Sequence, residues 1–112
     1  MISEKEITVV HVYILEGRSQ VKQIFDILHK EKIMGATAIR AIAGYGRTDT
    51  GAVHTSSLLT LSLRLPLVVE FFGESEQVQT VISKLRNQLK LRHIISWQAT
   101  SHTTAPNNPL DD

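Results

Sequence analysis

A chain of 112 residues without cysteine has room for one modest domain and excludes a disulfide framework, a thiolate metal centre and a cysteine nucleophile. Twelve Lys and Arg stand against eleven Asp and Glu, a formal net charge of +1 that excludes gripping duplex nucleic acid by bulk charge. No run nears the roughly 18–20 apolar residues of a membrane span, and the start MISEKE is no secretory leader, so a cytoplasmic protein without direct membrane insertion is expected.

Ile7 to Leu15 (ITVVHVYIL) reads as a first strand. Val10, Val12 and Ile14 fall on one face; Val9, His11, Tyr13 and Leu15 fall on the other. Both faces are largely apolar, so both need cover. Ser19 to Ile33 reads as a helix, because Val21, Ile24, Phe25 and Leu28 recur on one helical stripe. Ser19 is the expected N-cap, Lys30 and Lys32 sit in the last turn, and Gly35 is the expected stop. Ala36 to Ala43 reads as a second strand by position, although its four alanines leave a helix open on composition alone.

Gly44-Tyr45-Gly46-Arg47 opens a polar loop that runs to about Ser57. Leu59, Leu61, Leu63 and Leu65 then alternate with polar residues, a half-buried strand arm that Pro66 interrupts. Leu67 to Phe72 is a third core strand. Glu74 to Leu89 is a second helix, with Val78, Val81, Ile82, Leu85 and Leu89 as its stripe. Arg92 to Ala99 is a fourth strand. Residues 1–99 form the domain, and Thr100 to Asp112 is expected to be a disordered polar tail. This order implies a ferredoxin-like βαββαβ α+β fold: an antiparallel sheet, two helices on one face, and a long insertion between strands 2 and 3.

Two helices cover one face of such a sheet, so self-association is expected to cover the other. His11, Arg40, Glu70 and Gln98 break the apolar pattern of the strands and are expected on that second face. Arg40 and Glu70 are expected to pair with each other or across a subunit interface, since a lone charge there is costly. His11, Arg40 and Glu70 are therefore the interface candidates, and Trp97 reads as core or interface.

The string GATAIRAIAGYG at Gly35 to Gly46, a polar loop with His54-Thr55, then Leu61-Ser62 and Leu65-Pro66 before an apolar strand, resembles an uncharacterised PII-like family, domain of unknown function 190. More distantly it is similar to the PII signalling proteins, where a Gly-aromatic-Gly-Arg turn leads into the T-loop. The resemblance covers roughly Ile7 to Ala99. It implies a homotrimer with sheets facing inward, an adenine nucleotide in each intersubunit cleft, and a T-loop-like insertion that docks on a protein target. By position, Thr37, Gly44, Tyr45 and Gly46 match the adenine side of that site, and Arg47 the residue after it. Two departures stand out. Thr48 replaces the glutamine of PII proteins, and Asn87 to His93 lacks their glycine- and lysine-rich phosphate loop, leaving Lys90 and Arg92 to meet a phosphate. AMP or ADP is thus expected over ATP.

Other chemistries find less support. Gly44-x-Gly46 is no dinucleotide fingerprint, since a loop follows it; as a plain feature it is a tight turn. The five histidines are scattered with no paired spacing, so no metal ligands are assigned. By analogy with the similarly folded CutA proteins, a trimer assembling divalent-metal sites from different chains is an alternative. Ser56, Ser57 and Ser62 lack a nucleophile elbow, and Asp49 with His54 is an isolated pair, so no catalytic residue is assigned and an enzyme is not expected. Tyr13, Phe71 and Phe72 occupy RNA-recognition positions without the basic RNP1 pattern, so no nucleic acid is expected. The leading expectation is a nucleotide-binding PII-like signalling protein reporting through residues 47–57. The alternative is a trimeric interaction module with no nucleotide site.

Overall fold

The structure, a computed structural model, describes residues 2–14, 18–41, 43–47, 53–57 and 66–104. The elements are β1 (Ile2–Ile14), α1 (Arg18–Lys30), β2 (Ala36–Arg40), β3 (Ala43–Arg47), β4 (Val53–Ser57), β5 (Leu67–Gly73), α2 (Ser75–Leu89) and β6 (Ile94–Thr104). Four strands form one antiparallel sheet in the order β2-β5-β1-β6, and β3 pairs with β4 in a separate two-stranded ladder. Both helices pack on one face, so the main unit is the ferredoxin-like fold expected.

The core lies between that face and the helices. Val10, Val12 and Ile14 of β1 and Leu67, Val69 and Phe71 of β5 meet Ile24 and Leu28 of α1 and Val78, Val81 and Leu85 of α2. These residues are all buried, so period two on the strands and period 3.6 on the helices converge on one interior. Thr8 is the buried polar residue of this layer. Its hydroxyl lies 2.7 Å from that of Ser75 in the first turn of α2, and the Gln98 amide donates to it at 3.3 Å. Thr8 therefore ties β1, β6 and α2 together at no unpaired cost.

Helix α1 stops differently from expectation. Lys32, not Gly35, takes the left-handed conformation, at φ 64°. The Ile33 N–H donates to Leu28 O at 2.9 Å and the Lys32 N–H to His29 O at 3.1 Å, the paired bonds of a Schellman motif. Its apolar contact is supplied by Ile33 and Leu28, both buried. A side-chain bond from Gln77 to Glu31 O at 3.0 Å and the Lys84–Glu31 ion pair at 2.6 Å lock this helix end to α2. Ser19 lies inside the first turn of α1 rather than at its cap.

Three strand boundaries also differ. β1 starts at Ile2 and β6 runs to Thr104, because Ile2–Glu6 pair with Thr100–Thr104 in a polar two-stranded ribbon. Thr100–Thr104, assigned to the tail from sequence, are thus strand; backbone pairing with a neighbour supplies what side-chain apolarity does not. Ala36–Ala43 is not one strand: β2 ends at Arg40 and β3 begins at Ala43. The expected loop from Gly44 to Ser57 contains a hairpin, with Gly44 opposite Ser56 and Gly46 opposite His54. Ladder bonds come from the backbone, so a polar, glycine-containing strand carries little sequence signal. The leucine arm falls mostly on residues 58–65, outside the described residues, as do residues 105–112 of the tail.

Candidate functional site

The face of the sheet turned away from the helices is open, and register arranges it in rows. One row runs Trp97, Val9, Phe72; the next runs Ile95, His11, Glu70, Thr37; the third runs Tyr13, Val68, Ile39. Tyr13, Ile39, Phe72, Ile95 and Trp97 are the large apolar side chains left between 42% and 49% exposed there. The apolar rows flank a polar centre. His11 Nε2 lies 2.7 Å from Glu70 Oε2. The Trp97 ring meets the imidazole edge-on at a centroid distance of 4.8 Å, and Tyr13 does so at 6.0 Å. The His11–Glu70 contact gives both polar side chains of this row a hydrogen-bond partner within the chain.

The sequence-based expectation for this face needs two corrections. Glu70 pairs with His11, not with Arg40. Arg40 stands opposite Leu67, whose side chain is in the core, so Arg40 lies on the helix side of the sheet at its edge. Gln98 stands opposite buried Thr8 and is on the helix side as well. In an alanine-rich strand, and in a mixed polar one, both alternating sets look alike, so only register decides which set faces the helices. His11 and Glu70 do lie on the open face.

The predicted ligand residues fall in three places. Thr37 is exposed on the open face in edge strand β2, opposite Glu70. Gly44 to Arg47 form β3, which follows β2 beyond the sheet end where Arg40 and Leu67 pair. Lys90 and Arg92 lie in the short link from α2 to β6, at the same end of the sheet but beside its opposite edge. With β5 and β1 between them, β2 and β6 are about 14 Å apart. One chain therefore does not gather these residues around one small ligand.

The link itself is tightly built. Lys90 caps α2 in the left-handed region at φ 56°, ψ 32°, and the Tyr13 N–H donates to His93 O at 2.9 Å. Four residues between helix and strand leave no room for a glycine cradle around a phosphate chain; Lys90 and Arg92 are the cations this link offers. Among the described residues, no group of three or more His, Asp or Glu is placed to hold a metal ion. No described helix is long and apolar enough to cross a membrane.

The Trp97–His11 contact and the Thr8–Ser75–Gln98 network were not legible in sequence. The signal for the first was present but unspecific, an aromatic residue in a strand next to a histidine-bearing strand.

A family profile, DUF190, described as uncharacterized ACR, matches residues 7–101. A UPF0166 protein of Methanocaldococcus jannaschii is 34% identical over 80 residues, covering 71% of each chain. Among solved structures, CPII of Thiomonas intermedia K12, a nitrogen regulatory PII-like protein bound to ADP, AMP and bicarbonate, superposes with a TM-score of 0.62. It is 12% identical, with 93% of this chain and 99% of that one covered. CutA of Synechococcus elongatus PCC7942, complexed with Bis-Tris, superposes with a TM-score of 0.65 at 9% identity over 93% of this chain and 90% of that one. At such identities these two are likenesses of fold.

Proposed function

The chain belongs to the DUF190 family, and we propose that it works as a PII-like regulatory homotrimer that binds a small adenine nucleotide between subunits. The observation that carries this reading is the separation of the candidate residues. Thr37, Gly44 to Arg47, and Lys90 with Arg92 surround one sheet without converging, while the sheet's open face is apolar and has its polar pair already satisfied. Association through that face removes the apolar rows from water, and it sets one copy's edge near another copy's link. A cleft shared by two subunits is then the place where these groups serve one ligand.

On this reading, Gly44 to Gly46 let backbone approach the base, Thr37 offers a hydroxyl, and Lys90 and Arg92 meet the phosphate. The fold likeness to an ADP- and AMP-bound PII-like protein favours the same ligand class. The short link after α2 favours AMP or ADP over ATP. Residues 47–57 continue directly from Gly44 to Gly46 of β3, so occupancy is transmitted along the β3–β4 hairpin and read by a protein target. The role is binding and signalling, not catalysis, and its compartment is the cytoplasm.

Titration calorimetry with AMP, ADP, ATP and cyclic nucleotides tests this. Saturable heat from AMP or ADP is expected, weaker heat from ATP, and none from the Gly46→Val variant, whose branched side chain crowds the ligand-facing backbone of β3. Silence from every nucleotide with a folded trimer would leave an interaction module whose loop docks without a ligand.

A further inference from the structure

The open face holds two ionisable partners between two apolar rows, and covering the face decides what they cost. The His11 side chain is 23% exposed and that of Glu70 40%, so water still screens the carboxylate in the single subunit. Trp97 at 4.8 Å and Tyr13 at 6.0 Å set aromatic rings edge-on against the imidazole and keep water from two of its sides. Along the row, Ile95 of β6 stands beyond His11 and Thr37 of β2 beyond Glu70. Val9 and Tyr13 flank His11 on β1, and Val68 and Phe72 flank Glu70 on β5. No lysine, arginine or second carboxylate stands in these three rows. Among the described residues the other titratable groups around the pair are Tyr13 and, in the link beyond Ile95, His93.

We propose that the His11–Glu70 pair makes assembly through the open face respond to pH, each subunit taking up a proton as the face is covered. This rests on the homotrimer proposed above. With the imidazole neutral, the pair carries one negative charge, and association buries an uncompensated carboxylate in every subunit. With the imidazole protonated, the same side chains form an ion pair of zero net charge, which the apolar rows enclose at lower cost. Covering therefore raises the imidazole's affinity for a proton, and the proton in turn strengthens covering. The sign follows: the pair supports assembly on the acid side of histidine's ordinary titration, about pH 6.5, and the support is lost as pH rises above it. Below about pH 4 the carboxylate is protonated instead, the imidazolium stands alone, and assembly weakens again. A trimer holds the pair three times, so the response is steeper than one histidine gives. The intersubunit clefts exist only in the assembly, so nucleotide affinity follows the same pH dependence.

The test is the concentration of full chain, free of nucleotide, at which half the subunits are assembled, compared at about pH 6 and about pH 8. Sedimentation equilibrium reads it. Trp97, the chain's single tryptophan, lies on the covered face, so its emission extends the reading to high dilution, with urea added where dilution alone does not dissociate the assembly. The half-assembly concentration is expected to rise about ten- to a hundredfold from the lower pH to the higher. His11→Gln should remove that rise. Glu70→Gln should invert it, because an imidazolium without its carboxylate is then the group that resists covering; a merely structural role for Glu70 gives no inversion. His93→Gln should keep the wild-type trend. A wild-type trimer equally stable at both pH values overturns the pH response and leaves the trimer standing, whereas a chain monomeric at every pH overturns both. A Glu70→Gln variant that keeps the wild-type trend, or a trend that His93→Gln removes and His11→Gln does not, overturns the assignment to this pair.

Discussion

Replacing Trp97 by glutamate should take the assembly apart and leave the subunit folded. Trp97 is 42% exposed on the open face, so it presents about 100 Å² that a partner copy would cover. At about 25 cal/mol per Å², losing that burial removes about 2.5 kcal/mol per subunit, or about fifty- to a hundredfold in association. A carboxylate in its place adds a desolvation cost of several kcal/mol. The five large apolar side chains of this face together offer about 450 Å², or about 11 kcal/mol per subunit, against an association cost of roughly 4–15 kcal/mol. The margin is small enough for one substitution to decide. Within the subunit, the loss is the edge contact with His11, about 1 kcal/mol. Sedimentation velocity at about 10 µM, with a thermal melt of the same sample, separates the two effects. The wild type should sediment as a trimer of 12.5 kDa chains and the variant as a folded monomer. A monomeric wild type, or a variant that keeps the wild-type mass, refutes the argument. Phe72→Glu, in the same row across Val9, should act alike and guards against a local folding defect at Trp97.

Gly73→Ala places a methyl carbon 2.9 Å from Gln77 Oε1, so the end of the Gln77 side chain must shift, which loosens its bonds to Glu31 O and Lys32 O. A loss of about 0.5–1.5 kcal/mol is expected in urea unfolding, and a Gln77→Ala background should absorb most of it. Lys90→Gly relieves a left-handed lysine and should stabilise the fold by about 1 kcal/mol, yet weaken nucleotide binding; a gain in melting temperature without loss of calorimetric affinity would remove Lys90 from the site. The Lys5 ammonium, by hydrogen bond and charge, holds the Glu74 carboxyl below its ordinary 4.5. Its contribution is therefore present above about pH 4.5 and is lost as pH falls through the lowered value. Glu74→Gln should cost a little stability at neutral pH, less in high salt, and nothing in strong acid, as read by pH-dependent melts.

Much of this architecture could be read from pattern. The stripes of α1 and α2 and the apolar runs of β1 and β5 name their own elements, because burying those side chains is what drives them together. The family was legible through Gly35 to Gly46, and His11 with Glu70 stood out as polar residues in apolar strands. The hairpin of β3 and β4 and the ribbon of Ile2–Glu6 with Thr100–Thr104 were not legible, since backbone pairing leaves no hydropathy period in polar segments. The Schellman end at Lys32 hid for a related reason: closure by Ile33 on Leu28 outweighed the usual preference for glycine.

Sequence by itself determined the fold class, the two helices, the core strands and the need for cover on the second sheet face. Hydrophobic burial is roughly additive along the chain, so it is visible residue by residue. Only the tertiary structure decided who meets whom. It put Glu70 on His11, sent Arg40 to a groove beside α1, placed Gln98 on Thr8, and spread the nucleotide candidates to opposite edges of one sheet end. Those facts depend on strand register, and a shift of one residue exchanges the two faces while leaving the composition of every strand unchanged.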